Sequence, residues 1–89
     1  MTEGIQTVRL DKWLWFVRVV KTRGLAQELV ASGHVRINSV RANTVAKAVH
    51  VGDILTIALP AHVRVLKITG IPERRGSAPE AQKHYEELG

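Results

Sequence analysis

Cationic and amide side chains in the first half of the sequence are spaced in a way that suits the binding of phosphate groups. Arg9 and Lys12 lie about one helical turn apart, and so do Arg23 and Gln27 further along the chain. Guanidinium and ammonium groups donate charge-assisted hydrogen bonds to phosphate oxygens. If both stretches are helices that pack together, these donors converge, and the start of the second helix adds unpaired backbone N–H groups. The spacing therefore predicts a site for a polyanion.

The positive charge of this 89-residue chain is concentrated in its first half. The formal net charge is +5, and residues 9–47 contain eight Lys or Arg against two acids, Asp11 and Glu28. From residue 48 onward, five cations face five acids. A localised basic surface is typical of proteins that bind nucleic acid, while the alternative interpretation is a surface that only keeps the protein soluble.

Other kinds of chemistry are poorly represented in the sequence. The four histidines are scattered and the chain has no cysteine, so we expect neither a metal site nor a cofactor. Because no nucleophile motif, glycine-rich phosphate loop or pair of acids beside a histidine is present, an enzyme is the weakest class. The sequence has neither an apolar run of about eighteen residues nor a signal peptide, and the lack of cysteine suits a reducing compartment. We therefore expect a cytoplasmic protein that does not bind a membrane.

Two short amphipathic helices are predicted to position the cations. In the first, Thr7 is the expected N-cap, and Asp11 lies where a negative charge favours the helix dipole. Trp13 is predicted to be core; Trp15 is expected to be half-buried on the flank, where stacking on a base is the alternative. The apolar stripe of this helix consists of Leu10, Trp13, Leu14, Val17 and Val20.

The second helix is expected to begin after Thr22, as its N-cap, and to end at Gly33 in a left-handed conformation. Its apolar face is predicted to consist of Leu25, Ala26, Leu29 and Val30. The connection between the two helices is short, so we expect them to form a packed corner.

After the second helix, the hydrophobic pattern changes to alternation, which predicts a small sheet. Val35 and Ile37 point one way and Arg36 the other, so the first strand has a basic outer face. NSVRAN predicts a turn into a second short strand, TVAKAVHVGD a loop, and ILTIAL and VRVLKITGI two more strands. A capping box at Ser77–Glu80 predicts that APEAQKHYEEL forms a short terminal helix.

The segments RLDKWLW, KTRGLAQELVASGHVRIN and VHVGDIL together resemble the S4 RNA-binding domain, also called the αL motif, over residues 9 to about 60. The resemblance implies an α+β fold: two N-terminal helices packed on a small bent antiparallel sheet, with a short C-terminal helix. It implies RNA lying across the helix pair and the first strand. We expect a flexible N-terminus at 1–8, an S4-like RNA-binding domain at 9–70, and a C-terminal extension at 71–89.

The predicted RNA-binding residues follow from the spacing of the cations and from this resemblance. They are Arg9, Lys12, Lys21, Thr22, Arg23, Gln27, Arg36, Asn38, Arg41 and Lys47.

Among S4 proteins, the likeness is greatest to a stand-alone, ribosome-associated member. This implies a non-catalytic monomer that binds ribosomal RNA and transfer RNA on the large ribosomal subunit and rescues stalled nascent-chain complexes under heat stress. The alternatives are a generic binder of structured RNA or DNA, and an accessory RNA-binding module for an RNA-modifying enzyme.

Two features depart from the pattern of the family. Ser39 stands where the family commonly has glycine after the asparagine, so we expect a different turn after Asn38. The sequence ends at Gly89, whereas such relatives usually continue into a longer basic tail, so we expect either weaker binding of the ribosome than the family implies or a trimmed version of a longer protein.

Overall fold

The computed structural model describes residues 6–89, which contain three α-helices and seven strands. Residues 1–5 of the predicted flexible N-terminus lie outside the described residues. The helices are α1 (Leu10–Phe16), α2 (Arg23–Ala31) and α3 (Ala78–Ala81), the last followed by a 3-10 turn at Gln82–His84. The strands are β1 (Thr7–Arg9), β2 (Val35–Ile37), β3 (Val40–Arg41), β4 (Ala48–His50), β5 (Ile54–Ala58), β6 (Val63–Ile68) and β7 (Tyr85–Glu87).

Five of these strands form an antiparallel sheet in the order β3-β2-β5-β6-β7. Strands β1 and β4 form a separate antiparallel pair, in which Arg9 lies opposite Ala48. Side chains alternate along β2 as predicted, with Val35 and Ile37 buried and Arg36 exposed. Two N-terminal helices, an antiparallel sheet and a short C-terminal helix confirm the predicted α+β class.

The buried side chains of α1 and α2 join those of the sheet in one hydrophobic cluster. Trp13 is fully buried, and its indole N–H donates to the carbonyl oxygen of Gly70 at 3.1 Å. Its ring meets that of Tyr85 edge-on, with centroids 6.4 Å apart. Trp15 is half-buried beside Phe16. The predictions for the two tryptophans, one in the core and one on its flank, are therefore confirmed.

The start of α1 differs from the prediction. Thr7 belongs to β1, and the N-cap residue is Arg9, which makes no side-chain capping bond. The predicted Thr7 cap is wrong because the loop before β4 caps the helix instead. The backbone N–H of Leu10 donates to the carbonyl of Lys47 at 2.8 Å, and that of Asp11 to the carbonyl of Val45 at 3.3 Å.

The end of α1 is also earlier than predicted. The helix stops at Phe16, and Arg18 takes a left-handed conformation with φ of 63°. Three of the next four residues are valines, whose branched side chains lower helix propensity. The side chain of Arg18 then donates from Nε to the carbonyl of Gly76 at 2.7 Å, which fixes this turn to the C-terminal extension. Val20 is consequently half-buried beyond the helix and is not part of its stripe.

The second helix follows the prediction more closely. The hydroxyl of Thr22 accepts a hydrogen bond from the backbone N–H of Leu25 at 3.1 Å, which confirms the N-cap. Gly33 follows the helix with φ of 78°, a left-handed conformation that glycine adopts without strain. The predicted apolar face is too wide, because Leu25 is 42% exposed while Ala26 and Val30 are buried.

The turn between β2 and β3 places Asn38 and Ser39 in left-handed conformations, with φ of 52° and 73°. Two successive left-handed residues are what a two-residue hairpin turn requires, and Asn-Gly is the pair that favours it. Ser39 therefore takes a left-handed conformation that glycine would adopt without strain. The serine at this position adds backbone strain to the turn. Downstream, the stretch predicted as a loop contains β4, because pairing with β1 orders it.

The C-terminal extension forms only one turn of the predicted helix. The capping box between Ser77 and Glu80 is present, which confirms the start of α3. The helix then gives way to the 3-10 turn and to β7, which pairs with β6. An isolated helix of this length has little stability of its own. Pairing along β6 and the ion pair between Arg64 and Glu87, at 2.9 Å, favour the strand.

Candidate nucleic-acid interface

A buried carboxylate organises the basic residues at the contact of α1 and α2. Asp11 is 0% exposed, although it lies in the most basic part of the sequence. Its Oδ2 accepts from Nε of Arg23 at 3.1 Å and from Nε2 of Gln27 at 3.0 Å. Arg9 donates from Nε to Oδ1 at 3.1 Å and from Nη2 to Oδ2 at 3.2 Å. We call Arg9, Asp11, Arg23 and Gln27 the Asp11 cluster.

The electrostatics of the Asp11 cluster favour a charged carboxylate. Burial raises the pKa of the Asp11 carboxyl, but the hydrogen bonds from Gln27, Arg23 and Arg9 together outweigh burial, and the pKa lies below its ordinary value of 3.8. The backbone N–H of Lys12 adds a further bond to Oδ1 at 2.9 Å. Asp11 was predicted only to favour the helix dipole, so its role as the acceptor for three side chains is a correction.

This arrangement fixes the arginines while leaving part of each exposed. The side chains of Arg9 and Arg23 are 42% and 37% exposed. A guanidinium has five N–H donors, and the carboxylate engages one or two of them on each arginine. The remaining donors are available to an anion, and their directions are set before the anion arrives.

Three other predicted residues lie on the same two helices or between them. The hydroxyl of Thr22 is engaged as the N-cap of α2. Lys12 is half-buried next to Asp11 and, within residues 6–89, forms no ion pair. Lys21 is exposed and lies beside an apolar hollow that also involves Leu25 and Pro60. Lys12 therefore adjoins the Asp11 cluster, while Lys21 lies apart from it.

A second group of predicted residues surrounds a concavity of about 450 Å³ between the β2–β3 hairpin and β4. We call it the hairpin groove. It is lined by Ile37, Asn38, Val40, Arg41, Ala42, Asn43, Lys47, Ala48, His50 and Asp53. It thus brings together three of the predicted RNA-binding residues, namely Asn38, Arg41 and Lys47.

The polar groups of the hairpin groove have distinct tasks. The amide of Asn38 donates from Nδ2 to Oδ1 of Asp53 and accepts the N–H of Ile54 at its oxygen, both at 2.9 Å, so it holds the turn. Arg41 and Lys47 have no carboxylate partner among the residues that the structure describes. Arg36 lies opposite Arg41 on the neighbouring strand, where both are exposed.

The Asp11 cluster and the hairpin groove are joined by the segment 42–47. Its carbonyls at Val45 and Lys47 accept the first N–H groups of α1, so Lys47 lies between the two sites. At its other end, Ala42 and Asn43 lie with Arg41 against the end of α2. The guanidinium of Arg41 approaches Gly33 so closely that a Cβ there would lie 2.5 Å from Nη2.

Several cations outside this surface are engaged in holding the fold. Arg75 donates from Nε to the carbonyl of Trp15 at 3.0 Å, and its guanidinium lies 5.9 Å from the centre of the indole ring. Arg64 pairs with Glu87 and lies over the ring of Tyr85. Within residues 6–89, no group of three or more metal-ligating side chains could hold an ion, and no helix is long and apolar enough to span a membrane.

The prediction from sequence missed Asp11, Asn43 and His50 as members of these sites. A signal for Asp11 was present, since it is one of two acids among eight cations and stands two residues from Arg9. Nothing in the sequence pattern marked Asn43 or His50. The position of His50 depends on the pairing of β1 with β4, in which it lies opposite Thr7.

Comparison with known proteins places this geometry in a family. The chain belongs to the S4 domain family, whose model matches residues 8–55. It is similar over most of its length to Heat shock protein 15. The homolog from Haemophilus influenzae is 44% identical over 80 residues, which are 90% of this chain and 60% of that protein. The protein of Escherichia coli K12 is 41% identical over 80 residues, or 90% of this chain and 59% of that protein.

A solved structure extends the likeness to the fold. The trimeric structure of Heat Shock Protein 15 from Vibrio cholerae matches with a TM-score of 0.87 and 41% identity, covering 93% of this chain and 83% of that one. The chain spans about 60% of the length of the two curated relatives above. These matches confirm the resemblance stated from the sequence.

Proposed function

We propose that this chain is a non-catalytic RNA-binding protein. It binds ribosomal RNA and transfer RNA on the large ribosomal subunit and acts in the rescue of stalled nascent-chain complexes in the cytoplasm under heat stress. The observation that carries the proposal is the Asp11 cluster, in which one buried carboxylate holds two partly exposed guanidiniums in fixed orientations. Membership in the S4 domain family and the likeness to Heat shock protein 15 support the same function.

We propose that RNA lies across α1, α2, the segment 42–47 and the β2–β3 hairpin. The RNA-binding part is then residues 9–70, with 71–89 as an extension that steadies α1 through Arg18 and Arg75. Phosphate groups contact Arg9, Lys12, Arg23, Arg41 and Lys47 in this proposal. Thr22 and Asn38 contribute by shaping the helix start and the turn, since their side chains are engaged within the protein.

The first test measures how RNA affinity depends on salt. If about five phosphates are neutralised, affinity should fall by roughly two to three orders of magnitude between 50 and 200 mM salt, because each contact releases a counterion. Co-sedimentation with purified large subunits, in competition with transfer RNA and with DNA of equal length, tests the partner. An affinity that does not change with salt, or equal competition by DNA, would contradict the proposal.

A matched pair of lysine variants tests the location of the site. Lys12→Ala should weaken RNA binding by about 1 kcal/mol or more, as expected for loss of a charge-assisted hydrogen bond. Lys67→Ala removes the same charge from β6, on the sheet face opposite the core, and should change binding little. Equal losses in the two variants would mean that RNA responds only to net charge.

We propose that one chain is sufficient for RNA binding, because the Asp11 cluster is complete within a single chain. The solved relative from Vibrio cholerae is trimeric. Light scattering with and without RNA, over a range of protein concentrations, measures the mass of the species that binds. If only a trimer binds RNA, the proposal that one chain is sufficient is refuted.

A further inference from the structure

The hairpin groove has a distribution of charge that differs from that of the Asp11 cluster. Its cations, Arg41 and Lys47, are exposed on its walls. Its lining also includes the carboxylate of Asp53, which is 5% exposed and accepts hydrogen bonds from Asn38 and from the backbone N–H of His50. A carboxylate in the deep part of a groove repels a phosphate, while cations at its mouth attract one.

The walls of the hairpin groove also differ from a phosphate site in being partly apolar. Val40 is 69% exposed, the largest value among the exposed large hydrophobic residues of the part of the chain that the structure describes. Ala48 of β4 also lines the groove. An exposed apolar wall beside an acceptor suits the flat face and the polar edge of a nucleic acid base, which proteins reach in unpaired segments of RNA.

We infer that the hairpin groove binds one unpaired nucleotide of the RNA, and that its base carries an exocyclic amino group. The phosphate lies at the mouth, between Arg41 and Lys47. The base lies against Val40, and its amino group donates to the carboxylate of Asp53, which can only accept. This inference rests on the proposed RNA-binding function and adds to it a preference for a bulged or looped adenosine, cytidine or guanosine.

Uridine is the base that this groove favours least. It has no exocyclic amino group, and its one Watson–Crick donor, N3–H, lies between two carbonyl oxygens that would also face the Asp53 carboxylate. The Asp11 cluster, which contacts phosphates, has no such preference. The two sites therefore have different roles. The Asp11 cluster attracts any RNA backbone, and the hairpin groove selects an unpaired base.

The test uses RNA hairpins that differ in a single bulged nucleotide. Binding is measured by fluorescence anisotropy at one low salt concentration. The RNAs are a fully paired hairpin and hairpins with a bulged adenosine, uridine or purine riboside, which is adenosine without its amino group. The adenosine bulge should raise affinity about five- to tenfold over the paired hairpin, at the low end of what one good base contact is worth. The uridine and purine riboside bulges, which lack the amino group, should retain only a small part of this gain.

Two valine variants provide the protein side of the test. Val40→Ser removes the apolar wall of the hairpin groove and should abolish most of the gain from the adenosine bulge. Val63→Ser makes the same change on β6, where Val63 is 56% exposed and outside the groove, and should retain the gain. Both residues are surface strand positions, so loss of folding is not expected, and circular dichroism checks it.

The outcomes separate this inference from the proposed function. If wild-type protein binds all four hairpins with equal affinity, or if the two valine variants behave alike, the nucleotide site is refuted while RNA binding stands. If it binds none of them at low salt, the proposed RNA-binding function is refuted as well.

Discussion

Replacing Asp11 by asparagine separates the effect of net charge from the effect of geometry at the proposed RNA surface. The substitution keeps the size of the side chain and removes the one negative charge among Arg9, Lys12 and Arg23. A surface that senses only charge would then bind RNA more tightly. We expect Asp11→Asn to weaken binding by about 1 kcal/mol, or about fivefold, because a neutral amide offers one acceptor oxygen in place of the two carboxylate oxygens that fix the guanidiniums before RNA arrives.

The cost to folding follows from the contacts of the carboxylate. Breaking a buried ion pair by removing one partner costs roughly 3–5 kcal/mol when the other charge stays buried. The arginine side chains are 42% and 37% exposed, so they can turn toward water, and we expect about 2–3 kcal/mol. A domain of this size has roughly 4 to 13 kcal/mol of stability, so the variant should remain folded. Urea unfolding followed by tryptophan fluorescence measures the loss.

Glu28→Gln is the matched control for this experiment. Glu28 is an exposed residue of α2, and its substitution raises the net charge by the same amount without touching the Asp11 cluster. We expect it to leave RNA affinity unchanged or slightly higher. If Asp11→Asn and Glu28→Gln raise the affinity equally, the orientation of the arginines does not matter, and the argument from the Asp11 cluster is refuted.

Much of the fold could be predicted from local signals in the sequence. The cap at Thr22, the left-handed Gly33 and the capping box at Ser77–Glu80 each depend on a few neighbouring residues, and the structure confirms all three. The prediction failed where the local structure depends on pairing with a segment far away in the sequence. Strand β1 replaces the start of the predicted first helix because it pairs with β4, and β7 replaces the end of the terminal helix because it pairs with β6.

In the candidate site, too, the features that depend on nearby residues could be predicted and those that depend on tertiary packing could not. The sequence indicated which cations lie near one another, because Arg9 precedes α1 and Arg23 begins α2. It did not indicate that both would share a buried acid. An acid among many cations is usually a solvated neutralising charge, and only the packing of α1 on α2 removes Asp11 from water. Burial of a charge is a property of tertiary packing, so a local pattern carries little information about it.

Two further predictions concern the core and the effect of acid. Trp13→Ala should cost about 3–5 kcal/mol in thermal or urea unfolding, since the ring is fully buried and its N–H bond to Gly70 is lost; a variant as stable as wild type would contradict the orientation of α1. The pH dependence follows from the lowered pKa of Asp11. Since the folded pKa lies below the unfolded value of 3.8, the stability that Asp11 contributes is present above pH 3.8 and is lost as pH falls toward the folded pKa. The pKa values of Glu80 and Glu87 are also lowered, by hydrogen bonds from Ser77 and Arg64 respectively, so wild-type protein should lose stability in acid through several groups. Comparing urea midpoints of wild type and Asp11→Asn from pH 6 to pH 3 isolates the contribution of Asp11. The difference between the two proteins should shrink as pH falls below 3.8, and a difference that stays constant over this range would show that folding does not lower the pKa of the Asp11 carboxyl.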